Sequence, residues 1–315
     1  MKDRDKPELL IHMDVDSPLK LLDFYKISNA KYELCELESF YETFLNRALE
    51  FFEKYNLKVS FFMVGNELET SEKIKKLVLK THELGHEIEN HSYSHPFGFA
   101  TLSNEEITKE ITECSDIIYR ITGEKPVGFR APGYSIDTNV INILKNCGLK
   151  YDSSGFWSIM NPILEYGHKF MFKNGLKNEG FGYVTSRIPH EPYPTDLNDW
   201  LKKNLSSKDF WEIPLPRTKF SGLPFYNNIN LWAPEFYSKM ISSTINRKKI
   251  VYLFHAVEFI DLSDNIPVEL SVHPNIKIPE SKKMERSGKI INKLLERYNA
   301  VSTRKLIDKL SKGMN

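Results

Sequence analysis

The regular pattern of the chain starts with a compact apolar run at Leu9–Met13, the signature of a buried strand. Phe40–Tyr55 carries apolar residues at helical spacing, and Val59–Val64 is again a short apolar run. Ser71 is placed to cap a helix running through Leu84, and Gly85 follows where a helix favours a left-handed stop. Glu87–Glu89 predicts a short strand. Ser103 with Glu106 three residues on forms a capping-box pattern, opening a helix that runs to about Thr122 and is ended by Gly123 and Pro126. Val127–Phe129 predicts the next strand, Asp137 caps a helix that ends at Cys147–Gly148, and Leu149–Asp152 predicts another strand. The alternation repeats at roughly 30 residues, the length of a strand–helix unit, and parallel strands follow from it.

From Gly155 the rhythm breaks. A long insertion, about 155–232, is rich in Gly, Pro, Asn and aromatic residues and holds all four tryptophans, Trp157, Trp200, Trp211 and Trp232. Within it Trp211-Glu-Ile-Pro reads as a short strand. Alternation then returns. Pro234–Asn246 predicts a helix with proline in its first turn, Ile250–Phe254 a strand, Ser281–Tyr298 a helix, and Ala300–Val301 with Thr303–Leu310 a last strand and helix. The expected fold is α/β, one barrel-like domain over 1–315 that carries the insertion.

Composition narrows the function without naming it. The chain has 315 residues, 41 % hydrophobic and 27 % charged, ordinary for a globular protein. Lys plus Arg number 43 against 42 for Asp plus Glu, and no basic block supplies the footprint that nucleic acid needs. No run approaches the ~18 apolar residues of a membrane span, and no apolar core of a secretory signal follows the N-terminus. The expected compartment is therefore the cytosol or the cytosolic face of a membrane. Cys35, Cys114 and Cys147 are far apart with no C-x-x-C pattern, so neither a disulfide framework nor a thiolate zinc site is expected.

Polar residues collect after the expected strands, where reactive groups sit in barrels of alternating strands and helices. Asp14 and Asp16 follow the first strand; side chains at i and i+2 share one face, so both project into one space. Two carboxylates held that close suit a metal ligand beside a general base, although on these residues alone the reading as an exposed Asp-Ser-Pro turn would win, since Asp is common before turns. After the third strand, His91 and His95 stand four positions apart, as if on one side of a helical turn, a spacing that grips zinc in other sites. Arg130 and Tyr134 follow the fourth strand, and His255 follows the run Leu253-Phe254. Each signal alone admits a structural reading. Together, at successive strand ends, they point to one site.

The set resembles the polysaccharide deacetylases of carbohydrate esterase family four. The resemblance rests on Phe61-Phe-Met-Val-Gly65, Gly85-His-Glu-Ile-Glu-Asn-His91-Ser-Tyr-Ser-His95, Arg130-Ala-Pro-Gly-Tyr134-Ser and Leu253-Phe-His255, in the family's order. It implies a distorted (β/α)7 TIM-like barrel and a divalent metal, most often Zn2+ with Co2+, Ni2+ or Mn2+ as alternatives. Carried over motif by motif, Asp16, His91 and His95 would be the ligands and Asp14 the base, with Arg130 orienting Asp14 and His255 acting as the acid. A backbone N–H near Gly133 or Tyr134 would help hold the oxyanion. Val15 separates the two aspartates, which is similar to an Asp-x-Asp subgroup. Between Arg130 and Tyr134 stands one residue more than in the common motif, and the family's fourth motif is matched only loosely by Asp152, which reads either as a residue tuning His255 or as a buried polar residue at a strand end, and by Trp157.

Two readings of the insertion remain open. Trp157, Trp200, Trp211, Phe225, Tyr226 and Trp232 form either a sugar-stacking wall over the barrel mouth or the insertion's own core, with Trp157 and Tyr134 the expected substrate contacts. The remaining histidines, His82, His86, His168, His190 and His273, read as structural, and His12 as a supporting neighbour of Asp14. The expected function is metal-dependent removal of an N-acetyl group from an acetamido sugar, with a nucleotide- or lipid-linked glycan precursor or an oligosaccharide as substrate. The alternatives are a cyclic amide or ureide hydrolase on the same fold and a non-catalytic carbohydrate-binding protein.

Overall fold

The computed structural model describes residues 6–25, 27, 33–157, 188–218, 222–237, 240, 245–264 and 266–313. Its strands are β1 (Glu8–Val15), β2 (Val59–Met63), β3 (Glu87–Asn90), β4 (Gly128–Phe129), β5 (Tyr151–Asp152), β6 (Tyr193–Pro194), β7 (Trp211–Glu212), β8 (Lys249–His255) and β9 (Asn299–Ala300). They form one sheet in the order β6-β7-β5-β4-β3-β2-β1-β8, with β9 paired to β1. Every pairing from β7 to β8 is parallel, and only β6 runs antiparallel, against β7. Seven parallel strands in a curled sheet are the distorted (β/α)7 barrel that the alternation and the motifs imply. Among the described residues no ladder joins β8 to β6, so the ring of hydrogen bonds is open there.

Helices cover the outside. α1 (Pro18–Phe24), α2 (Leu34–Lys54), α3 (Gly65–Glu69), α4 (Glu72–Glu83), α5 (Asn104–Thr122), α6 (Thr138–Asn146), α7 (Asn227–Trp232), α8 (Glu280–Arg297) and α9 (Thr303–Ser311) follow in order. The expected caps are present: Ser71 accepts from Lys73 N, Asp137 from Val140 N, and Ser103 and Glu106 close the reciprocal box. Gly85 and Gly123 take the left-handed stops, at φ 82° and 74°. Of the helix expected over 234–246, residues 235–237 and 240 are helical and 245–247 are not; positions 238–239 and 241–244 lie outside the described residues.

Period-two alternation in β1 sorts its side chains between two cores. Leu9, Ile11, Met13 and Val15 enter the cluster shared with α2 and α8, while Leu10 joins Phe62, Leu253 and Leu306 inside the curl of the sheet. His12 and Asp14 share the inward face of Leu10. The parallel register then sets Asp14 beside His255 of β8. Tyr151 crosses so close to β4 that a Cβ at Gly128 would collide with its ring, which requires glycine there.

The described part of the insertion resumes at residue 188. Ile188, Tyr193, Trp200 and Phe210 pack against Phe129 of β4 and Ile141 of α6. Trp211 points into the sheet's interior and Phe225 into the outer core. These rings fill cores rather than line a wall. The side chain of Trp232, and His168, lie outside the described residues.

Candidate metal centre and catalytic site

Asp16, His91 and His95 converge at the mouth of the sheet, with one ligand atom from each lying within 4.8 Å of the others. Asp16 Oδ1 lies 3.2 Å from His91 Nε2 and 3.1 Å from His95 Nε2. Neither contact has hydrogen-bond geometry, and the buried oxygen has no hydrogen-bond partner among the described residues. His91 Nδ1 is 2.7 Å from the Arg130 carbonyl. A carbonyl only accepts, so Nδ1 carries the proton and the Nε2 lone pair faces Asp16 and His95. A carboxylate oxygen left unsatisfied and an imidazole lone pair aimed at the same point fit a divalent cation with nitrogen and oxygen ligands. Burial works against a charge on Asp16, yet His95 and His91 outweigh it and hold the carboxyl well below its ordinary range.

The two histidines do not meet on a helical turn as their spacing suggests. The loop 91–95 is irregular, with Ser92 at φ 67° and His95 at φ 61°. Left-handed backbone at two non-glycine residues costs on the order of 1–3 kcal/mol each and persists where surroundings over-determine it. Here they do. Ser92 N donates to Asn90 Oδ1, His95 N to Ser92 Oγ, and Ser94 N and Oγ to Glu110 of α5. Asn90 is itself held by Ile111 O and Ser115 Oγ. The rings end 4.9 Å apart, and Phe97 packs edge-on against His95. Asp16 follows β1 directly, and Ser17 caps α1 by accepting from Leu19 N. The Asp-Ser-Pro segment is thus a helix start and not an exposed turn.

Arg130 is fully buried. Its Nη1 donates to Asp14 Oδ1 at 2.7 Å, its Nε to Ser153 O at 2.7 Å, and its Nη2 to Ser153 Oγ at 2.7 Å and His12 Nδ1 at 2.8 Å. The guanidinium lies over the Phe62 ring, 4.5 Å from its centre. This ties down one oxygen of Asp14. The other, Oδ2, faces His255 Nε2 at 3.8 Å.

On its far side His255 Nδ1 meets Glu258 Oε1 at 3.3 Å, and Glu258 Oε2 accepts from Asn227 Nδ2 at 2.6 Å. Asn227 in turn accepts from Tyr252 and Ser287. Burial alone would lower the His255 pKa, but the Glu258 hydrogen bond and the Asp14 charge reverse this and raise it. The carboxylate that tunes His255 is therefore Glu258, three residues on in a short 3-10 turn. Asp152 instead ties down the Ser153–Ser154 turn, accepting from Ser154 N and Oγ. Sequence reasoning missed Glu258; its i, i+3 spacing from His255 was the available signal.

The expected substrate contacts divide. Tyr134 stacks on Phe156, 5.3 Å between ring centres, Phe156 meets Tyr226 at 6.0 Å, and Tyr226 meets His255 at 6.2 Å. A row of rings thus leads from Tyr134 to His255. Trp157 is not in it: its face is covered by the Arg217 guanidinium at 4.6 Å. The Tyr134 N–H donates to Ala131 O at 2.9 Å.

Comparison with known proteins agrees with this geometry. The sequence model of the polysaccharide deacetylase family matches residues 35–151, which include His91, His95, Arg130 and Tyr134. A peptidoglycan deacetylase of Helicobacter pylori is 33 % identical over 116 residues, 36 % of this chain and 37 % of that protein. A peptidoglycan-N-acetylglucosamine deacetylase of Bacillus cereus is 33 % identical over 89 residues, 28 % of this chain and 31 % of its own. The chain thus spans about a third of the length of these curated relatives. A Mycobacterium smegmatis structure assigned to the polysaccharide deacetylases superposes with a TM-score of 0.60 at 16 % identity, covering 98 % of this chain and 92 % of that one. A 4-alpha-glucanotransferase of Thermococcus litoralis superposes with a TM-score of 0.58 at 14 % identity, over 97 % of this chain and 40 % of its own, so the architecture does not decide the chemistry. What these comparisons give is a match of residues 35–151 to the polysaccharide deacetylase model and a likeness of fold over the rest of the chain.

Proposed function

We propose that the protein is a metal-dependent N-deacetylase of an acetamido sugar, of the Asp-x-Asp kind. The observation that carries this reading is the convergence of an unsatisfied Asp16 oxygen and two imidazole nitrogens beside an Asp14–His255 pair. The deacetylase names of the relatives support the choice of an acetamido group. Asp16, His91 and His95 would hold the ion, and two imidazoles with one carboxylate suit zinc, with cobalt, nickel or manganese as substitutes. A divalent ion bound there supplies Lewis acidity, polarising the acyl oxygen and making water more acidic.

The chain's own groups do the rest. Asp14 Oδ2 takes a proton from the attacking water, while Arg130 keeps Oδ1 occupied and the carboxylate oriented. His255, its Nδ1–H held by Glu258, presents Nε2 on the opposite side and gives a proton to the departing amine. Acetate and a free amino sugar are the products. Tyr134, Phe156 and Tyr226 offer ring faces to the sugar, and the Gly133 N–H offers a donor to the oxyanion. The substrate in this reading is a nucleotide- or lipid-linked glycan precursor or an oligosaccharide, met in the cytosol or at its membrane face. No helix among the described residues is long and apolar enough to cross a membrane.

The test is acetate release from a panel of N-acetylglucosamine oligomers and nucleotide- and lipid-linked acetamido sugars, with and without chelator, beside cyclic amides and ureides. Acetate release that chelator abolishes and zinc restores is expected. Ring opening without acetate release would replace the reading with a cyclic amide hydrolase. Sugar binding without turnover would replace it with a binding protein.

A further inference from the structure

The buried side of Arg130 leads away from the reacting atoms, through His12 to the other end of the barrel. Guanidinium groups only donate, so the 2.8 Å contact with Arg130 Nη2 makes His12 Nδ1 an acceptor. The competing neighbour, Ser153 Oγ, donates its one proton to Ile213 O at 2.8 Å. His12 Nε2 must then carry the ring proton, and it meets Thr303 Oγ1 at 2.9 Å. Thr303 Oγ1 lies 2.8 Å from Ser60 Oγ, and Ser60 donates to Glu87 Oε2 at 2.5 Å. With the Ser60 proton on Glu87, the Thr303 proton points to Ser60. Every bond in the column therefore runs one way, from Arg130 at the site and from His12 down to Glu87.

Glu87 also accepts from the backbone N–H groups of Thr303 and Arg304, the first turn of α9. The C-terminal helix is thus docked on the same carboxylate that ends the column. We propose that His12 is a positioning residue for the Arg130–Asp14 pair: Arg130 makes its Nδ1 an acceptor and Thr303 receives its Nε2–H and holds the ring in place, so that docking of the C-terminal helix sets the aim of the base. This rests on the reading of Asp14 as the base. Burial first, and the Arg130 charge second, hold the His12 pKa well below its ordinary value, which keeps the acceptor nitrogen available. A phenylalanine would fill the same space but leave one Nη2 proton without an acceptor, at the cost of a buried unsatisfied donor.

Asparagine and glutamine separate the two ring nitrogens. The Asn Oδ1 stands in for Nδ1 and still accepts from Arg130; the Gln amide stands in for Nε2, keeps the link to Thr303 and leaves Arg130 without its acceptor. His12→Gln is expected to lose about 10–100-fold in kcat, with KM and zinc stoichiometry unchanged, while His12→Asn stays within a few-fold of wild type. Equal losses in both variants, or no loss in His12→Gln, would overturn the proposal. The second readout does not use activity. Nitrogen-15 imidazole spectra of the wild-type protein should show His12 protonated at Nε2 alone, and Thr303→Val should keep that tautomer, because Arg130 still donates to Nδ1, while shifting the Nε2–H resonance as its acceptor is lost. A proton at Nδ1 in the wild type, or a Thr303→Val spectrum identical to it, refutes the proposal even where the His12 variants do not fold. Wild-type acetate release and its loss in Asp14→Asn are measured first. Their failure removes the deacetylase reading while the tautomer spectra still decide the role of His12.

Discussion

Asp14→Asn is expected to bind one equivalent of metal and to lose about 10²–10⁴-fold in kcat, the usual contribution of a positioned general base. The substitution replaces one carboxylate oxygen by an amide nitrogen and changes little geometry. The Asn Oδ1 can still accept from Arg130 Nη1, at the position where Asp14 Oδ1 now sits 2.7 Å away. The group facing His255 becomes an amide that cannot take a proton. Because Asp16, His91 and His95 are untouched, the ion should remain. Undiminished turnover would show that another group accepts the proton, and loss of metal would show that Asp14 belongs to the ligand set.

Arg130→Met is expected to cost about 3–5 kcal/mol of stability in chelated protein, because breaking a buried pair leaves the partner charge uncompensated. Methionine retains length and contact with the Phe62 ring, so the variant isolates the guanidinium. Asp14 Oδ1, His12 Nδ1 and two acceptors on Ser153 all lose their donor in one step. The loss should appear as a lower denaturant midpoint with an unchanged slope. A change within about 1 kcal/mol, the scale of an exposed ion pair, would contradict the central structural role given to this residue. Arg130→Lys should not rescue it, since an ammonium cannot reproduce the planar fork to three partners.

The sequence reading succeeded where the physics is local. Ser71, Ser103 with Glu106, Asp137 and the glycine stops are near-neighbour signals, and each forms the cap expected of it. Strand ends were legible because an apolar run stops where a polar group begins, and that placed Asp14, Asp16, His91, His95, Arg130 and His255 in one mouth. Short-range patterns also misled. Ser17-Pro18 reads as a turn or as a helix start, and only tertiary contact chooses the helix. The His91–His95 spacing fits a helical turn, but hydrogen bonds from Asn90 and Glu110 pull the loop into left-handed conformations that no periodicity reveals.

What stayed hidden was long-range. His12 and Thr303 are 291 positions apart, and nothing in either neighbourhood announces the contact. The loosely matched fourth motif left Asp152 either as a partner of His255 or as a buried polar residue at a strand end; it accepts from Ser154 N and Oγ, and Glu258 reaches His255 through a 3-10 turn. Trp157 stands near a strand end, and Arg217, 60 positions on, lies over one face of its ring. Which ring faces a site and which fills a core depends on partners distant in the chain.

The most direct measurement is calorimetric titration of zinc into chelator-stripped wild-type protein, Asp16→Ala and His91→Ala. The account predicts one tight equivalent for the wild type and none for either variant. A wild-type protein that takes up no ion, or variants that bind zinc as tightly as the wild type, would contradict it.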